Sequence, residues 1–218
     1  APSFATRWLI PRLHRFFAAH PEIDVRVSAR LRRAKQGGQD SAAERATIET
    51  WLAESDAAIL YGHGDYPGFR VDKLIALTVA PICSPQLMHG DNPLRRPQDL
   101  QYHTLLHDDT GALYDGVAFW EVWLKAAGIV DIDTSRGSRF SHAVLALEAA
   151  NDALGVVATF PVLAAAELKV GRLILPFELQ VPLQSAYYLV CNEIALLRPA
   201  VKAFRDWLLA EAAQQETY

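Results

Sequence analysis

Polar side chains follow several predicted strands and begin several predicted helices, and these positions have the most potential for chemistry. In α/β proteins, ligands bind beyond the carboxyl ends of strands, where loops from neighbouring strands converge. Backbone N–H groups at helix N-termini attract anions, because the first turn lacks intrahelical acceptors. On this ground the candidate ligand-binding positions are the strand ends at residues 28–30, 61–63, 84, 107–109 and 159–160 and the helix starts at residues 3–6 and 140–142.

Among these positions, Arg30 and three hydroxyl side chains have the clearest chemistry. Arg30 directly follows a predicted strand, where a guanidinium can hold an anion through two hydrogen bonds. The acidity of the chain as a whole favours the alternative, a solvent-exposed basic loop over residues 30–35. Ser3, Thr6 and Ser141 begin predicted helices, and each alone is typical of simple helix capping. Two such helix starts at one cleft would favour a small anionic or zwitterionic ligand.

No pattern in the sequence predicts catalysis. The G-x-S-x-G, H-E-x-x-H and G-x-x-x-x-G-K-[ST] motifs are all absent. His103 and His107 have the spacing of two zinc ligands on a helix, but the residues between them predict a strand, so a solvated strand end is favoured over a metal site. The loop at residues 62–65 lacks the spacing of a phosphate-binding loop. We therefore predict no catalytic residue, no metal and no cofactor.

Strand-like and helix-like segments alternate along the chain, which predicts an α/β fold with largely parallel strands. Period-two alternation and short apolar runs predict strands at residues 23–29, 57–62, 74–84, 104–107, 156–159, 172–177 and 185–190. Helical spacing predicts helices at residues 4–19, 42–55, 117–127, 142–154, 160–171 and 198–215. Pro11 favours a start of the first helix near Trp8, and Ser141 is the expected N-cap of the helix at 142–154. The tryptophans are expected in the core.

Composition excludes several classes of protein. The chain has 218 residues, of which 51% are hydrophobic and 21% charged, with a net charge of −4. Disordered and collagenous chains have other compositions, and no apolar run is long enough to span a bilayer. Arginines interrupt the first apolar stretch, which is unlike a secretory signal. The acidic balance gives no general attraction to nucleic acid.

Sulfur-containing residues indicate the compartment and the context of the chain. Cys83 and Cys191 lie in apolar, strand-like runs, and we expect both to be buried free thiols, which favours a reducing compartment. Met88 is the only methionine. We therefore expect the chain to be part of a longer protein.

An ordered set of motifs covers nearly the whole chain. The set comprises PSFATRWLIPRLHRFFAAHPEIDVRVSA, DAAILYGHGDYPGFRVDKL, APICSPQL, LRRPQDLQYHTLLHDD, FWEVWLKAAG, FSHAVLALEAANDALGVV, GRLILPF and AYYLV. In this order it resembles the region after the linker helix in LysR-type transcriptional regulators, in the branch that includes the glycine-cleavage activator and the β-lactamase regulator. Each motif alone is weak, and the order makes the resemblance specific.

The resemblance implies a periplasmic-binding-protein type II-like fold, with two α/β lobes joined by two crossover strands. Lobe one would comprise residues 1–82 and 186–218, and lobe two residues 83–185, with crossings near Cys83 and Ser185. The winged helix-turn-helix domain of such regulators, and the first strand of the domain, would lie upstream of Ala1. Residues 29–56 are longer than the family pattern by about a dozen residues, and this insertion would border the cleft between the lobes.

The same resemblance implies a function and a site. The chain would sense a small-molecule effector in the inter-lobe cleft and form a homodimer or homotetramer through the first helix and a lobe-two helix. It would be cytoplasmic, make no membrane contact, and meet DNA only through the upstream domain. Family contacts fall on Ser3, Thr6, Arg30, Tyr61, Ser84 and Ser141, and strand-end topology adds Phe140 and Thr159. The alternative is a free-standing solute-binding protein of a transporter.

Overall fold

The computed structural model describes residues 1–30 and 41–214, in which strands and helices alternate. The strands are β1 (Ala57–Gly62), β2 (Arg70–Ile82), β3 (Leu105–Asp108), β4 (Arg139–Phe140), β5 (Val156–Thr159) and β6 (Val181–Cys191). The helices are α1 (Pro2–Phe4), α2 (Leu13–Ala19), α3 (Ser41–Glu54), α4 (Thr110–Tyr114), α5 (Phe119–Ala126), α6 (Ala143–Asn151), α7 (Ala165–Lys169) and α8 (Pro199–Ala213). No helix in these ranges is long and apolar enough to cross a membrane.

Two long strands connect two groups of strands. The order of hydrogen-bonded neighbours is β1-β6-β2-β5-β3-β4. Strand β2 pairs with β6 from Arg70 to Val79 and then with β5 from Ala80 to Ile82. Strand β6 returns antiparallel to β2 and then pairs with β1. The α/β architecture with two crossover strands is therefore as expected, and we call β1, β6 and β2 the first strand group and β5, β3 and β4 the second.

The sheet is less parallel than the alternation of elements predicted. Three of the five strand pairings in the described part of the chain are antiparallel, and two are parallel. Every antiparallel pairing involves β2 or β6. Strand β2 leaves the first strand group and β6 comes back to it, so these two strands run in opposite directions. Their pairing is therefore antiparallel, whereas the alternation of strands and helices predicted parallel neighbours.

Two predicted strands are not strands in the structure. Residues 23–29 are irregular, and in residues 172–177 only Ile174 forms a bridge, to Cys83. An alternating pattern becomes a strand only where a neighbour accepts its backbone hydrogen bonds. Within the described residues, no strand pairs with residues 23–29, and most side chains there are exposed. Residues 31–40 of the expected insertion lie outside the described residues.

The N-terminal helix, residues 2–19, begins at Pro2 and not near Trp8. It consists of α1, a π turn (Ala5–Leu9), a 3-10 turn (Ile10–Arg12) and α2. Pro11 cannot donate a hydrogen bond, and its ring clashes with the preceding turn of an α-helix. The helix avoids this conflict with one wide turn followed by one tight turn. In the wide turn the Ile10 N–H donates to the Ala5 oxygen, and in the tight turn the Leu13 N–H donates to the Ile10 oxygen.

Aromatic side chains fix the N-terminal helix to the first strand group. Phe4 lies between Trp8 and Tyr187, with ring centroids 4.9 and 4.8 Å away. Phe16 packs edge-on against Phe204 of α8 at 5.3 Å. Arg12 lies 4.5 Å above the ring of Trp8. These contacts make the helix a fixed part of the core, with one side left to face the second strand group.

Tryptophans also anchor the second strand group. The Trp120 indole donates to the Leu106 carbonyl of β3 at 2.9 Å, and the Trp123 indole donates to the Leu179 carbonyl at 3.0 Å. Both side chains are fully buried, as expected for helical spacing. Cys83 and Cys191 are buried free thiols, which confirms that prediction.

Gly137 tests how tightly the loop before β4 packs on β3. Its φ is +108°, and a Cβ atom there would lie 1.9 Å from the Leu105 carbonyl oxygen. We expect Gly137→Ala to lower the free energy of unfolding by about 3 kcal/mol, since backbone must move. Gly116 also has a positive φ, +70°, but has open space around it. The control Gly116→Ala should cost only about 1 kcal/mol. Equal losses in urea denaturation would contradict the packing argument.

Candidate functional site

A cleft of about 470 Å³ lies between the two strand groups and opens to solvent. The N-terminal helix, β1 and α3 contribute Ala1, Pro2, Ser3, Trp51, Ile59, Leu60 and Tyr61, and Arg30 follows the irregular segment. The opposite wall consists of Thr110, Tyr114 and His142, and Tyr187 lies on β6. This space includes the open mouth of the cleft. Small-molecule sites have such a mainly apolar lining with a few polar groups.

Ser3 links the N-terminal helix to the helix across the cleft. Its Oγ accepts a hydrogen bond of 3.0 Å from the Val144 N–H, in the first turn of α6. The N-cap of α6 is His142, and no side chain of the N-cap residue bonds to the helix. The expected capping by Ser141 is therefore wrong, because Ser141 lies one residue too early and is exposed. Ser3 supplies the acceptor instead.

His142 brings an unsatisfied ring nitrogen to the cleft. Among the described residues, its Nε2 is buried and has no hydrogen-bond partner. Burial lowers the pKa of His142, which favours the neutral imidazole. The ring lies nearly parallel to that of Tyr114, with centroids 6.5 Å apart. A ligand in the cleft would therefore meet a neutral imidazole that can accept or donate a hydrogen bond.

Tyr61 connects the cleft to a carboxylate on the second strand group. Its hydroxyl donates to Asp115 Oδ2 at 3.4 Å, and its ring packs on Phe160 and Tyr187 at 5.7 and 6.2 Å. Burial raises the pKa of Tyr61 well above its usual value, so the hydroxyl keeps its proton. Asp115 also accepts hydrogen bonds from His63 Nε2 at 2.5 Å and from Ser185 Oγ.

Asp108 is a fully buried carboxylate behind the cleft. Its Oδ1 accepts hydrogen bonds from the Thr110 hydroxyl at 2.6 Å and the Thr110 N–H at 3.1 Å, and its Oδ2 accepts one from the Thr159 hydroxyl at 2.6 Å. Burial raises the pKa of Asp108 to about 6, although the hydrogen bonds from both threonines oppose the shift. Asp108 therefore orients Thr110, whose side chain lines the cleft.

The structure brings only some of the predicted site residues together. Ser3, Arg30 and Tyr61 line the cleft. Thr159 lies one layer behind, bonded to Asp108. The other predicted residues are not in the lining: Thr6 and Ser141 are exposed, Ser84 accepts a hydrogen bond from the Gln86 N–H and so caps a 3-10 turn, and Phe140 belongs to β4.

Sequence reasoning missed several lining residues. Trp51 lies within α3, and Tyr187 lies in the middle of β6, so neither is at a strand end or a helix start. Thr110 and Tyr114 belong to the short helix α4, which directly follows the strand end at 107–109. His142 falls within the predicted helix start at 140–142. That position is the one feature of the sequence that pointed to it as a lining residue.

The charge of the lining favours an anion. Among the residues that the structure describes, Arg30 is the lining residue with a permanent positive side-chain charge, and no carboxylate lies in the lining. Arg30 pairs with Glu54, and its side chain remains 38% exposed. Within the described ranges, no three His, Cys, Asp or Glu side chains form a potential metal site. The cleft therefore suits a small ligand with a negative group and an apolar body.

Comparison with known proteins identifies the family. A family model described as the LysR substrate binding domain matches residues 41–213. The chain belongs to this family. It is 39% identical over 215 residues to the glycine cleavage system transcriptional activator of Escherichia coli K12, covering 99% of the chain and 64% of that protein. It is 31% identical over 212 residues to the transcriptional activator AmpR of Pseudomonas aeruginosa, covering 97% and 64%. The chain thus spans slightly less than two thirds of these relatives.

Solved structures of LysR-type effector domains have the same fold. The effector domain of AmpR from Pseudomonas aeruginosa matches with a TM-score of 0.70 and 30% identity, covering 97% of this chain and 92% of that one. The AmpR effector-binding domain from Citrobacter freundii matches with a TM-score of 0.69 and 25% identity, covering 97% and 94%. The periplasmic-binding-protein type II-like fold expected from the motifs is confirmed, and the relatives are transcription regulators.

Asp108 gives this LysR-type domain a specific pH dependence. The pKa of Asp108 in the folded state is about 6, above the ordinary 3.8, so its stabilising contribution is complete below the ordinary value and is lost as the pH rises through 6. Asp108→Asn does not titrate. The quantity to follow is the free energy of unfolding of the parent minus that of Asp108→Asn. We expect this difference to fall by about 3 kcal/mol between about pH 4 and pH 7.

Urea denaturation across that pH range measures this difference. Asp91→Asn is the matched control, since Asp91 is exposed on a loop. The control should follow the pH dependence of the parent. A constant difference between the parent and Asp108→Asn would show that burial does not determine the ionisation of this carboxyl group.

Proposed function

We propose that this chain is the effector-sensing domain of a LysR-type transcription regulator and binds a small anionic or zwitterionic metabolite in the inter-lobe cleft. One observation carries the proposal: residues from both strand groups line the cleft, and the described lining includes a guanidinium but no carboxylate. A ligand that contacts both walls favours one arrangement of the lobes, and this bias is the basis of allosteric coupling to a distant site.

The lobes of this proposal are residues 1–82 with 186–218, and residues 83–185. Strand pairing supports these limits. Strand β2 changes its partner between Val79 and Ala80, close to the first crossing at Cys83. Strand β6 begins to pair with β1 at Ala186, next to the second crossing at Ser185. Each lobe would then contain one strand group with the helices packed on it.

Ligand contact is proposed first for Ser3, Arg30 and Tyr61, together with Thr110 and His142. Their positions on both sides of the cleft support this assignment. Thr159 would act through Asp108 and not by touching the ligand. The remaining predicted residues, Thr6, Ser84, Phe140 and Ser141, have no contact with the cleft that supports a binding role.

The domain would act by binding and not by catalysis. Its relatives are named as transcription activators, which favours this reading over an enzyme and over a transporter's solute-binding protein. In the proposed regulator, DNA would be bound by a helix-turn-helix domain outside this chain, with no membrane contact, in the cytoplasm. No cofactor is required for this role.

A thermal-shift screen tests the proposed function. The compounds are amino acids, small carboxylates, aromatic acids and cell-wall fragments. A ligand at one hundred times its dissociation constant adds about 2.7 kcal/mol to the stability of the folded domain, which raises the melting temperature measurably. Hits within one chemical class would support the proposal. A flat response to anionic and zwitterionic compounds alike would count against it.

Arg30→Gln then tests the charge preference of the cleft. Removing a charge-assisted hydrogen bond costs about 2 kcal/mol, so we expect an anionic hit to bind about 30-fold more weakly. Arg26→Gln is the matched control, because Arg26 is an exposed arginine of the same segment outside the lining. Isothermal titration calorimetry measures both affinities. Unchanged binding in Arg30→Gln would exclude a direct contact with the anion.

Exposed apolar side chains support the proposed homodimer or homotetramer. Ile10 and Phe17 on the N-terminal helix are 52% and 41% exposed, and Leu145 on α6 is 49% exposed. These helices are the first helix and a lobe-two helix, as the family resemblance implies. Covering such side chains in a partner would stabilise the assembly through apolar burial.

Ile10→Glu tests this interface. A charge placed in an apolar contact must be desolvated, so we expect dimerisation to weaken at least about tenfold. Val130→Glu is the control, since Val130 is even more exposed but lies after α5, outside both helices. Sedimentation equilibrium at several concentrations measures the effect. A parent domain that stays monomeric at every concentration, or equal weakening in both variants, would contradict the proposed interface.

A further inference from the structure

Asp115 gathers donors from both sides of the cleft. It directly follows α4 of the second strand group, and its side chain is only 9% exposed. Its carboxylate accepts hydrogen bonds from Tyr61 at the end of β1, from His63 just beyond, and from Ser185 on β6. Tyr61 and His63 belong to lobe one, whereas Ser185 is the last residue of lobe two and lies on the crossover strand β6. Asp115 thus joins the two lobes across one flank of the cleft.

Arg7 makes a second polar connection between the same lobes. It lies on the N-terminal helix, and its guanidinium pairs with Glu148 of α6 and with Glu167 of α7. The Arg7 and Glu167 side chains are nearly buried, whereas Glu148 is exposed. Arg172 approaches the same Glu167 carboxylate at 3.5 Å from within lobe two. Arg7 is therefore the cation that lobe one contributes to this pair.

Both contacts depend on the arrangement of the lobes. If the lobes separated, Asp115 and Arg7 would lose partners that belong to the other lobe and would gain water. Exchanging a buried ion contact for hydration changes the free energy only modestly, because the desolvation cost offsets most of the attraction. Contacts of this kind add to the apolar packing of Tyr61 and Tyr187 on Phe160, and they hold one arrangement without making it irreversible.

We propose that Asp115 and Arg7 are two polar latches that hold the lobes in the arrangement seen here, and that Tyr61 connects the Asp115 latch to the effector. Tyr61 is the residue that both lines the cleft and donates to Asp115. A ligand that bonds to the Tyr61 hydroxyl alters the latch directly. This inference rests on the two-lobe arrangement of the proposed function, and it assigns the residues that set the balance between lobe arrangements.

An inter-lobe distance measurement tests the latches. Nitroxide labels are attached to Ala210→Cys on α8 and Glu121→Cys on α5, both exposed positions in different lobes. The native thiols stay unlabelled, because they are buried and burial raises the pKa of Cys83 to about 12 and of Cys191 to about 11. Double electron–electron resonance then reports the populations of short and long distances without any ligand.

We expect Asp115→Ala and Arg7→Gln each to raise the long-distance population relative to the short one by about tenfold. The double variant should raise it by about one hundredfold, since the two latches lie on separate elements and act independently. Should Asp115→Ala fail to fold, His63→Ala removes a donor whose side chain is exposed, and the same shift is expected in smaller measure.

Matched controls remove ion contacts that stay within one lobe. Asp109→Ala breaks the pair with Arg139, at 2.6 Å, inside lobe two. Arg205→Gln breaks the pair with Asp72, at 2.6 Å, inside lobe one. Neither control should change the distances. A double latch variant with the distance distribution of the parent, or controls that shift as much as the latch variants, would overturn the proposal.

The outcome is independent of the effector screen. The distance measurement needs no ligand, so latches that fail this test leave effector binding intact as a proposal. Conversely, a domain that binds no metabolite in the thermal-shift screen still shows whether Asp115 and Arg7 set the positions of its lobes.

Discussion

The antiparallel pairing of β2 with β6 is the constraint on which the rest of the structure depends. These two strands are shared, since β2 pairs with both strand groups and β6 brings the chain back from one to the other. Their pairing holds the two groups side by side and leaves a cleft between them. One apolar core runs through both groups, and Tyr61 and Tyr187 pack on Phe160 where the groups meet. The polar contacts across the cleft add to this packing.

The N-terminal helix serves both groups with different faces. Its apolar residues, Phe4, Trp8 and Phe16, pack on β6 and α8 and fix the helix to the first group. Its polar residues, Ser3 and Arg7, reach across to α6 and α7. The strong, nonpolar attachment is within a group and the weaker, polar one is between groups. An element that is fixed to one group and bonded by polar side chains to the other is well placed to transmit a change in lobe position.

The sequence was informative where local pattern decides structure. The strand at 57–62 and the burial of Trp120 and Trp123 follow from apolar spacing, and the fold class follows from the alternation and from the ordered motifs. It was misleading where the structure depends on a partner distant in the chain. Residues 23–29 alternate like a strand, but no strand in the described part of the chain pairs with them. The site shows the same division. Ser3 and Tyr61 follow from strand and helix ends, whereas Tyr187, in the middle of a strand, and Asp115 acquire their roles only through tertiary contacts.

Polar contacts between the lobes differ in one respect from a charge enclosed within a lobe. Burial within one lobe raises the pKa of a carboxyl group such as that of Asp108, because the charged form loses its hydration there. Asp115 differs, since separation of the lobes would exchange two donors of lobe one, Tyr61 and His63, for water. In the proposed sensor, a ligand that adds or removes one hydrogen bond at such a contact then shifts the balance between the arrangements. The apolar contacts between the lobes, such as those of Tyr61 and Tyr187 with Phe160, carry no charge that a ligand could compete for. The response of the proposed sensor therefore depends on the polar contacts beside them.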